Sequence, residues 1–150
     1  FALSNPTAKS ECTAEQAYRW TGGKAIFASG SPFDPVRVHG KVFVPGQGNY
    51  MFIFPGVGLG AVVCGARKVT DAMFFIAAKT LAHMVTENEL GTGTVYPDLR
   101  KIRQISLSIA TAVCRQAYQE GLATYEEPDD IRAFIRERMY HAEYRHFVTD

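Results

Sequence analysis

The sequence predicts an α/β chain: the end of a doubly wound domain, followed by a helical tail. Three observations predict it. Phe1-Ala2-Leu3 reads as a short apolar strand that Ser4-Asn5-Pro6-Thr7 closes at once. A helical stretch and a second apolar strand follow within about thirty residues, which is the pattern of a βαβ unit. From Thr70 onward, apolar residues recur at helical rather than strand spacing.

The first strand has no lead-in, and a sheet strand at an open terminus leaves its neighbours unpaired. The expectation is therefore a larger domain whose missing N-terminal part lies upstream of Phe1. Thr13 and Gln16 stand at capping-box spacing, so a helix should open there, run to about Trp20 and stop at Gly22-Gly23. Lys24 to Ala28 reads as the second strand, ending in Ser29-Gly30-Ser31-Pro32 and parallel to the first.

Val36-Arg37-Val38 and Lys41 to Val44 alternate around His39-Gly40, a two-residue hairpin turn that needs positive φ. Pro45 to Asn49 reads as a loop. Thr70-Asp71 starts a helix to about Val85, with Met73, Phe74, Ile76, Ala77, Leu81 and Met84 inward. Leu90 to Pro97 reads as a loop. Ile102, Ile105, Ile109, Val113 and Ala117 mark a long helix from about Lys101 to Glu120, ended by Gly121. The acidic run Glu126 to Asp130 suits the start of a last helix, Ile131 to about His141. The domain boundaries that follow are 1–121 for the end of the α/β domain and 122–150 for a helical C-terminal extension.

Bulk properties exclude several classes. With 16 basic and 15 acidic residues, the net charge of +1 offers no footprint for nucleic acid or an anionic membrane. No apolar run approaches the roughly 20 residues that cross a bilayer. Cys12, Cys64 and Cys114 are far apart and form no ligand-like pair, which reads as buried thiols in a reducing compartment.

Ligands of open parallel sheets bind beyond the carboxyl ends of the strands. Two such ends are Ser4-Asn5-Pro6 and Ser29-Gly30-Ser31-Pro32. Each is also ordinary turn chemistry, and recurrence at two neighbouring ends is what singles them out. Gly46-Gln47-Gly48-Asn49 is a third candidate, because its glycines allow close approach and an Asn amide can donate to a carboxylate without adding charge. Its spacing alone equally fits a flexible loop.

Gly56-Val57-Gly58-Leu59-Gly60-Ala61 fits GxGxxA but reads as a decoy. Pro55 stands where a strand should feed the turn, and no acidic residue ends a second strand about 20 positions on. Gly56, Gly60 and Cys64 instead share one helical face, which suits a buried helix with a close neighbour. His39, His83, His141 and His146 build no metal or catalytic group, and no nucleophile triad or paired-carboxylate set stands out.

Phe-Ala-Leu-Ser-Asn-Pro-Thr at 1–7, Glu-Cys-Thr-Ala-Glu-Gln-Ala at 11–17 and Phe-Ala-Ser-Gly-Ser-Pro-Phe at 27–33 occur in order. Pro-Gly-Gln-Gly-Asn at 45–49 and Ile-Phe-Pro-Gly at 53–56 follow. Together they resemble the C-terminal part of malic enzyme, and the likeness runs on through Tyr96-Pro97 and Ile102-Arg103 to the closing region of Tyr140 to Tyr144.

The resemblance implies a Rossmann-like NAD(P)-binding domain and oxidative decarboxylation of (S)-malate to pyruvate and CO₂, with NAD or NADP and Mn²⁺ or Mg²⁺. It implies that Asn5 and Asn49 contact the malate carboxylates, and that Leu3, Ser4, Ser29 and Gly30 line the nicotinamide side. It places the acid/base pair, the metal ligands and the true dinucleotide fingerprint upstream, so no catalytic or metal residue is expected within these 150 positions.

The implied partners are malate or pyruvate, the missing N-terminal part of the same polypeptide, and further copies in a dimer or tetramer. The implied location is a reducing cytoplasmic or mitochondrial compartment. Many relatives carry a second Asn where this chain has Tyr50, a change that either alters malate affinity or is a tolerated packing change. Two other readings stand beside it: another Rossmann dehydrogenase using Gly56 to Ala61, and an oligomerisation module using Ile131 to Tyr144.

Overall fold

A computed structural model describes residues 1–141. His146, the Tyr144 end of the predicted contact segment and the rest of the predicted extension to residue 150 lie outside the described residues. Helix α1 spans Ala14–Trp20, and Thr13 and Gln16 close the reciprocal capping box. Its C-terminal turn runs through Gly22 and Gly23, with φ of 59° and 78°.

The strand predicted at Lys24 to Ala28 is shorter and later, with β1 at Ala28–Ser29. Strands β2 (Val36–Val38) and β3 (Lys41–Phe43) form the antiparallel hairpin, with His39 and Gly40 at φ 48° and 79°. The loop predicted at Pro45 to Asn49 is corrected in part, because Gly46–Gln47 is a strand, β4. Two residues with no side-chain alternation carry no strand signal in sequence, and the pairing comes from the backbone.

β4 runs parallel to β1, and Ala2 bridges in parallel to Ser29 on its other side. The order Ala2, β1, β4 is held by Ala2 N donating to Ala28 O at 3.0 Å, Gly30 N to Ala2 O at 3.3 Å, Gly46 N to Phe27 O at 3.2 Å and Gly48 N to Ser29 O at 2.8 Å. The predicted first strand is thus a single bridging residue, parallel as expected. Tyr18 sits under this layer, stacked on Phe43 at 4.7 Å and edge-on to Phe27 at 6.0 Å.

A 3₁₀ turn at Tyr50–Phe52 leads into α2, Phe54–Val63, with Pro55 in its first turn. Gly56 to Ala61 therefore lies inside a helix, and it is not a phosphate loop. Helix α3 spans Asp71–Ala82, α4 Glu87–Gly91, α5 Ile102–Gln119 and α6 Ile131–Arg138. Helix α4 falls partly in the predicted loop after Leu90 and has its own capping box, Thr86 with Glu89.

Met73, Ala77 and Leu81 of α3 are buried against α5, but Phe74, predicted inward, is exposed. The i, i+4, i+8 row that meets α5 leaves Phe74 about 100° around the helix. Ile105, Ile109, Val113 and Ala117 of α5 are fully buried, and Ile131 and Ile135 bring α6 into the same core. Among the described residues, no helix is long and apolar enough to cross a membrane.

Candidate functional site

In a parallel sheet all strands point the same way, so the loops after Ala2, β1 and β4 emerge side by side. They carry Leu3-Ser4-Asn5, Gly30-Ser31 and Gly48-Asn49. Beyond them opens a cleft of about 900 Å³, walled by Leu3, Asn5, Gly48 and Asn49 on one side and by α2 and α3 on the other. Phe54, Val57 and Gly58 face it from α2, and Phe74, Ala78 and Leu81 from α3. This is where Phe74 turns its ring. Among the described residues, the lining holds no Asp, Glu, Lys, Arg or His.

Asn5 follows from a close approach of two strand ends. The Ser31 hydroxyl donates to Asn5 Oδ1 at 2.5 Å. A Cβ on Gly30 would run into the Leu3 carbonyl oxygen and stand 2.8 Å from Asn5 Nδ2, so any side chain at 30 would displace Asn5. The Asn5-Pro6 peptide is cis. Asn49 caps the 3₁₀ turn, its Oδ1 accepting from Met51 N at 3.0 Å. Its one side-chain oxygen is thereby engaged and its orientation set, while Nδ2 donates to no group among the described residues.

The structure brings three of the six predicted site residues, Leu3, Asn5 and Asn49, into the cleft wall. The other three stand behind it. Ser29 is buried and donates through its hydroxyl to Ser31 O at 2.7 Å. Gly30 backs Asn5, and its carbonyl accepts from Gln47 Nε2 at 3.3 Å. Ser4 turns away and donates to Glu11 Oε1 at 2.5 Å, which holds the exposed Glu11 carboxyl below its ordinary range. Gly46 packs under Tyr96 and Thr94, where a Cβ would come within 3.2 Å of both.

Phe54, Phe74 and Tyr96 were not predicted for the site, yet they line it together with Tyr50, the position where the sequence departs from many relatives. The signal in sequence was weak: aromatic residues on helices and turns read as core. Among the described residues, no group of three or more His, Cys, Asp or Glu could hold a metal ion. This wall can bind and orient a ligand through neutral amides, backbone groups and aromatic faces; it contains no carboxylate, ammonium or imidazole to move a proton.

Comparisons with known proteins place this geometry. Residues 1–118 match the family model described as malic enzyme, NAD binding domain. An NADP-dependent malic enzyme of Dictyostelium discoideum is 60% identical over 93% of this chain and 26% of its own length. The human NADP-dependent malic enzyme is 51% identical over 100% of this chain and 27% of its own. A mitochondrial NAD-dependent malic enzyme of Ascaris suum is 46% identical over 99% and 23%.

The chain thus spans about a quarter of the length of these curated relatives. The crystal structure of Entamoeba histolytica malic enzyme superposes with a TM-score of 0.67 over 91% of this chain and 25% of that one. At 23% identity this likeness bears on the fold, and it agrees with the Rossmann-like α/β arrangement described above. With residues 1–118 of its 150 matched, the chain belongs to the malic enzyme NAD-binding domain family.

Proposed function

We propose that this chain forms one wall of the malate and dinucleotide cleft of an NAD(P)-dependent malic enzyme, which oxidises and decarboxylates (S)-malate to pyruvate and CO₂. The observation that carries the reading is that Asn5 and Asn49, from separate parallel strand ends, line one cleft. Their amides donate to the malate carboxylates. Leu3 forms the nicotinamide side from the cleft wall, with Ser4, Ser29 and Gly30 in the strand ends behind it, where the missing side chain at Gly30 lets the Leu3 carbonyl and the Asn5 amide approach.

NAD or NADP supplies the hydride acceptor when bound. The residues present fit that role only as a binding surface. Among the described residues, none group in a way that fits Mn²⁺ or Mg²⁺. The proton-transfer groups and metal ligands belong, in this reading, to a preceding part of the same polypeptide. The division at residue 121 into a dinucleotide-binding portion and a helical extension is part of the proposal, supported by a family match that ends at residue 118. So are assembly into a dimer or tetramer and residence in a reducing cytoplasmic or mitochondrial compartment.

The test uses the full-length enzyme. Asn5→Ala and Asn49→Ala should each raise KM for malate by about tenfold or more, the loss of a hydrogen bond to a charged group. KM for the dinucleotide should stay within about twofold for Asn49→Ala. Unchanged malate KM in both variants would overturn the reading.

A further inference from the structure

Tyr96 is a polar side chain of the cleft that the reading above leaves without a task. Its ring stacks on Phe52 at 5.6 Å between centroids and 25° between planes, and Phe52 is 1% exposed. A ring held on a buried ring has little freedom, so the phenol oxygen is a fixed point. That point lies beside Gly48: a Cβ there would stand 3.3 Å from Tyr96 Oη and 3.0 Å from Leu3 Cδ2.

The hydroxyl takes no part in a hydrogen bond among the described residues. Polar groups flanking Gly48 and Tyr96 along the chain bond elsewhere: Gln47 to Gly30 O, Asn49 Oδ1 to Met51 N, and Asp98 N to Glu89. Tyr96 Oη is not a buried polar atom, so it stands in the wall as a fixed donor that a ligand acceptor can reach.

We propose that Tyr96 is a positioning residue of the substrate subsite, its hydroxyl donating to the same malate carboxylate that Asn49 holds. The proposal rests on the assignment of the cleft to malate. Gly48 is its structural condition, because the absent side chain leaves the phenol open to the ligand between Leu3 and Asn49. A phenol hydroxyl donates without the desolvation penalty of a cation and leaves charge neutralisation to groups outside this wall.

The experiment is steady-state kinetics of full-length Tyr96→Phe, which keeps the stack on Phe52 and removes only the hydroxyl. KM for malate should rise about tenfold, with KM for the dinucleotide within about twofold and the melting temperature unchanged. Tyr96→Leu, which also loses the stack, should lower the melting temperature as well; that separates packing from positioning.

If Tyr96→Phe leaves malate KM unchanged while Asn5→Ala and Asn49→Ala raise it, this inference fails and the cleft assignment stands. If the increase appears in the dinucleotide KM instead, Tyr96 belongs to the cofactor and the inference also fails. If none of the three variants moves malate KM, the cleft assignment falls and takes this inference with it.

Discussion

Gly56 of α2 meets Ile109 of α5 with no room for a methyl group: a Cβ on Gly56 would stand 2.7 Å from both Ile109 Cβ and Cγ2. Gly60, one turn on, repeats the contact against Val113 Cβ at 2.9 Å and against the Ala110 backbone. Gly58, between them, faces open space. One helix thus carries glycines with opposite physical demands.

Gly56→Ala and Gly60→Ala should therefore destabilise, since overpacking costs about 1–3 kcal/mol and better helix propensity returns at most about 1 kcal/mol. Gly58→Ala keeps the propensity gain without the clash and should raise the melting temperature. Thermal melts of the three variants check the signs; a stabilised Gly56→Ala would refute the close-contact geometry.

Gly30→Ala tests the strand-end geometry at the site. Its Cβ cannot coexist with the Leu3 carbonyl and the Asn5 amide where they stand. In the full-length enzyme, kcat/KM for malate should fall by about tenfold or more, as for removal of a positioning contact. Activity equal to the parent would show that the Asn5 position is not set by Gly30.

The three thiols should react in order of exposure. Burial first, and the neighbouring Cys64 second, push the Cys114 thiol up to about 12, and Cys64 is fully buried. Cys12 is half-buried. Alkylation at pH 8 followed by peptide mapping should modify Cys12, leaving Cys64 and Cys114 untouched until denaturant is added. Early labelling of Cys114 would contradict the packing of α2 on α5.

Asp98 provides a pH signature. The side-chain hydrogen bond from Arg100 is the largest cause holding its carboxyl at about 2 instead of 3.8. A depressed folded value means the stabilising contribution is complete above about pH 4 and disappears as pH falls toward 2. Because the group is open to water, the effect on stability is small. Carboxyl chemical shifts followed by NMR should titrate near 2 in the parent and nearer 3.8 in Arg100→Ala.

Local signals carried well from sequence to structure. The Thr13–Gln16 box, the His39-Gly40 turn and the Ile105, Ile109, Val113, Ala117 row each depend on neighbours within a few residues, and each formed as read. The decoy glycines of α2 were legible for the same reason, since i, i+4 spacing puts Gly56 and Gly60 on one face. Thr86 and Glu89 have the same spacing as a helix start, yet the glycines after them drew attention to a loop.

What was not legible depends on partners distant in sequence. Gly46–Gln47 becomes a strand only because β1 offers a ladder, and Phe74 turns to the cleft only because α5 claims Met73, Ala77 and Leu81. Asn5 and Asn49 stood out through motif resemblance and strand-end topology. Tyr96 could not, because its standing depends on a stack with Phe52 and a gap at Gly48.

The alignment of Asn5 with Asn49 is written in main-chain bonds: Ala2 to Ala28, Gly30 to Ala2 and Gly48 to Ser29. Such a frame is indifferent to most side chains around it. Outside Gly30 and Gly48, the cleft surface can be rewritten residue by residue without moving the two amides apart. The wall is therefore well suited to directed evolution of ligand selectivity: the ruler stays fixed while the lining changes.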